Sequence, residues 1–285
     1  MIPSARGVAP EEKVISTRNL KFTYEGNVEA LRGINLDVKY GDYVAIVGGN
    51  GSGKTTLAKN LNGLLKPTSG TVLVNGKPTS RQKVPELAKV VGYAFQNPDH
   101  QLFCSSVEDE VKFGPQNLGY PESEVRLKVE RAIEAMNLDK QRALAPLSLR
   151  LGERRRVSIA SVIAMDPQVL ILDEPTTGLD AGESLELMER LKRLNGEGKT
   201  IILITHDMKL VAEHARRIVV MAGGRVLLDA DSRGVFSDLA ILSGSNLEPP
   251  PVTKLAHRLA KYGIPQDIMS AEELVLRLLG PGGGG

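Results

Sequence analysis

The chain has 285 residues, of which 41% are hydrophobic and 25% charged, and its formal net charge is only +2. That length allows one large α/β domain with a small appendage, and the near-neutral charge argues against a nucleic-acid partner. The apolar runs are too short to cross a bilayer, residues 1–4 lack a signal-peptide core, and the single cysteine, Cys104, excludes an internal disulfide. We therefore expect a protein of the reducing cytosol.

Strands and helices alternate through most of the chain. Two of the predicted strands, near residues 170 and 202, are continuously apolar, which is typical of central parallel strands covered on both faces. Asn75-Gly76 and Gly223-Gly224 predict tight turns that close hairpins. The predicted strands are residues 14–24, 34–38 (joined to the first across 25–27), 43–47, 71–74, 169–172, 201–204, 218–221 and 226–228.

Helical periodicity replaces the strand signal between residues 98 and 165, as in Val125, Val129 and Ile133. This region is predicted to be a helical subdomain inserted into the sheet domain. The triple proline at 249–251 marks a linker, with short helices predicted near 252–262 and 271–279 and disorder over 280–285. We therefore divide the chain into a main domain at 1–245 and a C-terminal extension at 246–285.

The segment at 48–56 is the most informative part of the sequence. It matches the phosphate-binding pattern G-x-x-x-x-G-K-[ST], and it lies between an apolar strand and leucines at helical spacing. The glycines let backbone N–H groups surround an anion, and the helix N-terminus adds its positive dipole end. Because strand, loop and helix are in register, we reject a chance glycine-rich turn. A nucleoside triphosphate is predicted to bind Gly48, Gly49, Asn50, Gly51, Ser52, Gly53, Lys54, Thr55 and Thr56, with Lys54 on the β- and γ-phosphates and the Thr55 hydroxyl on Mg²⁺.

Polar residues also follow two of the apolar strands. Asp173 and Glu174 end the strand near 170, where parallel α/β sheets bind ligands. Asp173 is predicted to hold Mg²⁺ through water, and Glu174 to deprotonate the attacking water. A surface acidic pair is the weaker alternative, because carboxylates after four buried aliphatic residues are costly without a cation or a function. His206 ends the next strand and is predicted to face the γ-phosphate. The other histidines, which show no metal-ligand spacing and are interpreted as solvated, are His100, His214 and His257.

Over residues 14 to about 230 the chain resembles the ATPase subunits of ABC transporters, with motifs in the family's order and spacing. The resemblance implies an α/β P-loop NTPase fold with an antiparallel β subdomain and the inserted helical subdomain, and it implies ATP with Mg²⁺ as ligands. Tyr24 is similar to the aromatic residue that stacks on adenine, and Gln96 to the glutamine that senses Mg²⁺ and the attacking water. Residues 178–180, ending in Asp180, resemble the D-loop, and His206 resembles the switch histidine.

Residues 95–102 and 107–115 are similar to the energy-coupling factor (ECF) subgroup of these ATPases. That similarity implies a peripheral subunit on the cytoplasmic face of the cell membrane. It would power uptake of a vitamin or a transition-metal ion through a membrane T-component and a substrate-binding S-component, without itself contacting the transported substrate. The C-terminal extension resembles that of many ECF ATPases, which adds contacts between the two ATPase subunits. The alternative for residues 97–118 is a generic surface loop.

The signature motif departs from the family pattern. Where ABC ATPases carry Leu-Ser-Gly-Gly-Gln, gapless alignment places Leu149, Arg150, Leu151, Gly152 and Glu153. A second register starts at Leu147-Ser148 and needs a two-residue insertion. Because this motif closes on the ATP of the opposite subunit, the damage predicts a heterodimer with a sister ATPase. A regulatory subunit with little turnover and a soluble ABC ATPase outside transport are the alternatives.

Overall fold

The structure, a computed structural model, describes residues 12–279. It builds two sheets, which are surrounded by helices of very different length. The strands are β1 (Lys13–Tyr24), β2 (Val28–Lys39), β3 (Tyr43–Val47), β4 (Ser69–Val74), β5 (Lys77–Pro78), β6 (Val91–Ala94), β7 (Val169–Asp173), β8 (Thr200–Thr205), β9 (Arg217–Ala222) and β10 (Arg225–Asp231). The helices are α1 (Lys54–Leu61), α2 (Val84–Ala88), α3 (Val107–Asn117), α4 (Glu122–Ala135), α5 (Leu151–Ala164), α6 (Ala181–Gly196), α7 (Met208–His214), α8 (Ser232–Ser237), α9 (Leu239–Gly244), α10 (Pro251–Leu259) and α11 (Ala271–Leu279).

The larger sheet has the order β10-β9-β3-β8-β7-β6, and every neighbouring pair is parallel except the closing hairpin β9–β10. Strands β3, β7 and β8 are buried along their whole length, which explains why valine, isoleucine and leucine dominate them. Val47 pairs with Thr205 and Asp173 with Ile204, so these strands end at one edge.

The smaller sheet is antiparallel with the order β2-β1-β4-β5, as the family resemblance implies. Asn75 and Gly76 both have positive φ, at 49° and 71°, and they close the predicted β4–β5 hairpin. The predicted start of the second strand at Ile34 was wrong, because β2 begins at Val28. Val28 of β2 pairs with Tyr24 of β1, and this pairing forms the first part of β2 despite its irregular apolar pattern.

Strand β6 and helices α8 and α9 were not predicted. β6 has only four residues, too few for a periodic signal, and it includes a glycine. A Cβ on Gly92 would lie 2.4 Å from Cγ1 of Val162, so glycine lets α5 pack directly on this strand. Tertiary packing, rather than local pattern, therefore specifies the edge of the larger sheet.

The inserted helical subdomain is confirmed, since residues 98–165 contain α3, α4, α5 and 3₁₀ turns but no strand. The predicted apolar face of α4, carried by Val125, Val129 and Ile133, is buried against α3 and α5. Over residues 12–279, no helix is both long enough and apolar enough to cross a membrane.

The C-terminal segment packs on the main domain instead of forming an open linker. Leu247 is only 5% exposed and belongs to the same apolar cluster as Phe236 and Leu242, and Pro249 and Pro250 are buried too. The Ser245 carbonyl accepts a hydrogen bond from the Gly49 amide at 3.0 Å. The N-terminal residues 1–4 and the tail at 280–285 lie outside the described residues.

Leu247→Ala should lower the free energy of unfolding by about 2 to 5 kcal/mol, because it leaves a cavity in a packed cluster. Leu185→Ala on α6, where the side chain is about half exposed, is the control and should cost about 0.5 kcal/mol or less. Urea unfolding followed by circular dichroism measures both. Equal small losses would show that the junction adds nothing to the main core.

Candidate functional site

A cavity of about 360 Å³ opens at the edge where the parallel strands of the larger sheet end. It lies between the antiparallel sheet, the N-terminus of α1 and the carboxyl end of β7. Most of the predicted site residues line it together. The lining residues are Tyr24, Val28, Glu29, Ala30, Asn50, Gly51, Ser52, Gly53, Lys54, Thr55, Thr56, Gln96, Asp173 and Glu174.

The loop between β3 and α1 has the geometry of a phosphate cradle. Gly53 at the N-cap has φ of 101° and, being glycine, supplies no side chain to cap the first N–H groups of α1. Lys54 folds back along the loop, and its Nζ donates to the carbonyls of Gly48 at 2.7 Å and Gly49 at 3.0 Å. A Cβ on Gly48 would lie 2.2 Å from the Met221 carbonyl oxygen, so this position admits only glycine. The loop thus brings the Lys54 ammonium and the N-terminal amide groups of α1 to the same part of the cavity.

Burial lowers the pKa of Lys54, and the negative charges of Glu174 and Asp173 oppose that shift. The ammonium therefore lies in a partly desolvated site that already contains two carboxylates. Such a site favours a ligand with several negative charges and a counter-cation over a simple anion.

Asp173 is 2% exposed, and its two carboxylate oxygens have different surroundings. Oδ2 accepts a hydrogen bond from the hydroxyl of Tyr93 at 2.7 Å, whereas no described residue donates to the buried Oδ1. Burial raises the pKa of Tyr93 well above its usual range, so the phenol is a donor. A free, buried carboxylate oxygen together with the Thr55 hydroxyl fits Mg²⁺, a cation that takes few protein ligands and completes its shell with water and phosphate. Within residues 12–279 no cluster of three or more His, Cys, Asp or Glu side chains offers a different metal site.

Glu174 is held in an unusual conformation. Its φ is +48°, its amide donates to the Ile204 carbonyl at 2.8 Å, and it is 7% exposed. Oε1 lies 2.7 Å from Nδ1 of His206, whose side chain is 62% exposed. A left-handed backbone at a non-glycine residue stores strain of order 1–3 kcal/mol, and such strain clusters at functional sites. The end of β7 therefore directs Glu174 into the cavity, and the exposed His206 contacts the Glu174 carboxylate from the solvent side.

Tyr24 and Gln96 lie at the margins of the cavity. The Tyr24 hydroxyl is 3.0 Å from Oγ1 of Thr56, and its ring meets Phe22 edge-to-face with the centroids 4.8 Å apart. Gln96 is exposed and lies two residues after the end of β6. Both positions match the predictions for an aromatic platform and a sensing amide, and their roles stay predictions.

The signature residues do not line the cavity. Helix α5 begins at Leu151, so Arg150 is its N-cap, and Glu153 accepts the Arg150 N–H at 3.1 Å. In the gapless register Arg150 takes the place of the family's serine. Unlike that serine, an arginine side chain has no acceptor for the first helical N–H groups. Leu151 lies against the D-loop, where a Cβ on Gly178 would be 2.7 Å from Leu151 Cδ2.

Two neighbouring positions show the same separation from the cavity. A Cβ on Gly152 would lie 2.4 Å from Oε1 of Glu183, so α5 and α6 approach closely at this glycine. Asp180 caps α6 by accepting from the Glu183 N–H at 2.8 Å. This second cluster, residues 150–152 with Asp180, therefore lies outside the lining of the cavity.

Sequence reasoning missed two buried polar residues, Tyr93 and Arg155. Arg155 is 3% exposed, and it donates to the carbonyls of Phe95 at 3.2 Å, of Gln96 and of Thr177 at 3.2 Å. It is the middle residue of three consecutive arginines on α5, residues 154–156. The available signal was its helical phase, because Arg155 lies three residues after Gly152 and four before Ile159 on α5, and both of these residues are buried.

The prediction that three histidines are solvated was only partly right. His100 is exposed, but the His214 side chain is only 5% exposed, and burial lowers its pKa. His257 is half-buried with Nε2 3.1 Å from the Phe236 carbonyl. Both buried rings lie at helix ends that pack on the domain, which sequence spacing does not reveal.

The ABC transporter family model matches residues 31–177, more than half of the chain. The chain belongs to this family of ATP-binding proteins. The predicted family and the P-loop NTPase fold are therefore confirmed.

Two proteins that are similar to this chain have more specific names than the family model. The energy-coupling factor transporter ATP-binding protein EcfA of Methanoculleus marisnigri is 43% identical over 256 residues, which cover 90% of this chain and 92% of that protein. The structure of cbiO1 from Clostridium perfringens, part of the ABC transporter complex cbiONQ, superposes with a TM-score of 0.74 at 39% identity, over 87% of this chain and all of that one.

Other relatives of this chain are much longer than it is. An ABC transporter ATP-binding protein of Caldanaerobacter subterraneus subsp. tengcongensis is 45% identical over 262 residues, covering 92% of this chain but 45% of that protein. The chain thus spans less than half the length of several curated relatives that it matches.

Glu174→Gln should leave ATP binding intact and lower turnover by about 10²- to 10⁴-fold, the usual effect of losing a general base. ATP affinity by calorimetry and steady-state phosphate release measure the two effects. Glu197→Gln at the exposed end of α6 is the matched control and should change neither quantity. Full turnover in Glu174→Gln would exclude Glu174 as the base.

Proposed function

We propose that this chain hydrolyses ATP as a subunit of an ECF-type importer that takes up a vitamin or a transition-metal ion. The observation that carries the proposal is the shared cavity, where the phosphate loop, the free Oδ1 of Asp173 and the buried Glu174 meet. The similarity to EcfA proteins and to cbiO1 supports the ECF type.

Each residue of the cavity has a proposed role that follows from its chemistry. Lys54 and the α1 amides bind the β- and γ-phosphates, and Tyr24 stacks on adenine. Glu174 orients the attacking water and accepts its proton, while His206 holds the carboxylate from the solvent side. Thr55, Asp173 and Gln96 would hold Mg²⁺, which when bound neutralises charge on the phosphates.

The position of the signature residues supports a two-subunit ATP site. Arg150, Leu151, Gly152 and Asp180 do not line the cavity of their own chain, so we infer that a nucleotide which they contact belongs to another subunit. In a head-to-tail dimer, this chain's ATP meets the partner's signature. Because Arg150 and Leu151 offer neither a hydroxyl nor an open backbone, a heterodimer with a sister ATPase keeps one complete site.

An apolar surface beside α3 supports docking of a membrane subunit. Leu64 and Val84 line a cavity of about 150 Å³, and Phe103 and Phe113 form an aromatic pair at α3; each of the four is about half exposed or more. We propose that these two groups together form the apolar surface beside α3, since exposed apolar clusters mark interaction sites. We assign the T-component to this surface, and the S-component and the transported substrate then lie beyond it. The subunit is accordingly peripheral on the cytoplasmic face of the membrane.

The apolar surface beside α3 is held in place rather than loosely attached. The Phe103 and Phe113 rings meet edge-to-face with the centroids 4.8 Å apart. Glu110, which is 3% exposed, accepts the N–H groups of Phe103 and Cys104, each at 2.8 Å. A preformed surface lowers the ordering cost of binding a partner.

The C-terminal extension, residues 246–285, is proposed to contact the sister ATPase. Helix α11 leaves most of its apolar side chains exposed, although Leu274 is buried against α10. A helix with one anchored and one open apolar face is suited to pack on a second subunit. The exposed apolar side chains of the extension include Tyr262, Val275, Leu276, Leu278 and Leu279.

A regulatory subunit with little turnover is the second candidate. It is favoured by Arg150 at the N-cap of α5, because an arginine side chain cannot accept from the first helical N–H groups as the family's serine does. The same residue is open to another interpretation, in which Arg150 itself reaches the γ-phosphate of the partner's ATP.

The double change Arg150→Ser with Leu151→Gly should raise ATP turnover of the isolated chain, at a concentration high enough to form dimers. A restored donor at the helix N-terminus is worth on the order of 10²- to 10³-fold on a transferring phosphoryl group. Steady-state ATPase assays measure it, with exposed Arg131→Ser on α4 as the control. A fall in turnover would instead make Arg150 a working residue and remove the argument for a heterodimer.

Phe103→Ser should abolish co-purification with polytopic membrane subunits, because it removes half of the aromatic pair, while ATP affinity should not change. Tagged chain is recovered from detergent-solubilised membranes, and its partners are identified by mass spectrometry. Leu185→Ser, on α6, is the control. If the wild-type chain retains no membrane protein, the transport assignment fails and a soluble ABC ATPase takes its place.

A further inference from the structure

Two buried tyrosines of the larger sheet differ in the surroundings of their hydroxyl groups. Tyr93 on β6 is 7% exposed and donates to Oδ2 of Asp173 at 2.7 Å. Tyr43 on β3 is 5% exposed, and its hydroxyl has no hydrogen-bond partner among residues 12–279. Tyr93 therefore places a specific donor on the carboxylate of the candidate metal site.

The hydrogen bond from Tyr93 is fixed at both ends. Asp173 is the last residue of β7, and β6 is its parallel neighbour, with Tyr93 paired to Ile171. The Tyr93 ring meets Phe95 edge-to-face, with centroids 4.9 Å apart. The hydroxyl consequently cannot leave Asp173 without moving the ring or the strand.

We propose that Tyr93 is a positioning residue, which holds Oδ2 of Asp173 so that Oδ1 alone faces the Mg²⁺ of the nucleotide. The inference rests on the proposed function, in which Asp173 binds that cation. With Oδ2 bound by Tyr93, Asp173 has only Oδ1 left to meet the cation or a water of its shell, and the carboxylate does not have to be reoriented when the cation arrives. Partners of this kind, which bind a ligand rather than the metal, typically contribute 10- to 100-fold to metal affinity.

Tyr93→Phe removes only the hydroxyl and tests the proposal. Protein-bound Mn²⁺ is measured by equilibrium dialysis of the full chain, with a non-hydrolysable ATP analogue at equal free concentration on both sides. We expect the Mn²⁺ dissociation constant to rise about 10- to 100-fold. Affinity for the analogue in EDTA should stay the same, because Tyr93 is not among the residues that line the cavity.

Tyr43→Phe is the matched control, since it removes a buried hydroxyl that has no partner in the described part of the chain, and it should leave Mn²⁺ binding unchanged. Unchanged or tighter Mn²⁺ binding by Tyr93→Phe would overturn the proposal. Equal weakening in both variants would overturn it as well, because the loss would not then depend on Asp173. If the wild-type chain binds no Mn²⁺ with the analogue, the ATPase assignment fails together with the proposal.

Discussion

The parallel register of β3, β7 and β8 is the constraint on which the rest of the site depends. Val47 pairs with Thr205, and Asp173 with Ile204, so the phosphate loop, the acidic pair and His206 leave the sheet at the same edge. None of these groups is close to the others along the chain. Their meeting is a result of backbone hydrogen bonding between apolar strands, and a one-residue slip would turn the polar side chains away.

The same edge concentrates charges in a desolvated place. Asp173 and Glu174 are almost fully buried, and the cations that balance them are Lys54 on the loop and Arg155 on α5. Arg155 also binds the carbonyls of Phe95, Gln96 and Thr177. It therefore connects the strand end before Gln96 with the loop after Glu174 through one side chain of α5.

The parts of the site that sequence predicted are those encoded by consecutive residues. The glycines of 48–53 with Lys54, and the acidic pair after four aliphatics, are recognisable because backbone geometry and burial restrict the residue types there. Tyr93 and Arg155 were not recognisable. Their partners are 80 residues away for Tyr93 and about 20 to 60 for Arg155, and only the assembled sheet brings them together. Strand β6 and the buried His214 were missed for the same reason, since neighbours distant in sequence decide their environment.

The hydrogen bond from the Gly49 amide to the Ser245 carbonyl has a consequence for how the molecule opens. Amide exchange with solvent needs this bond to break, and Ser245 is anchored by α9 and by the buried Leu247 that follows. Protection of one phosphate-loop amide is thus governed by residues almost 200 positions away in the chain. A local unfolding event at the C-terminal junction would loosen the loop even if every residue of the loop itself were unchanged.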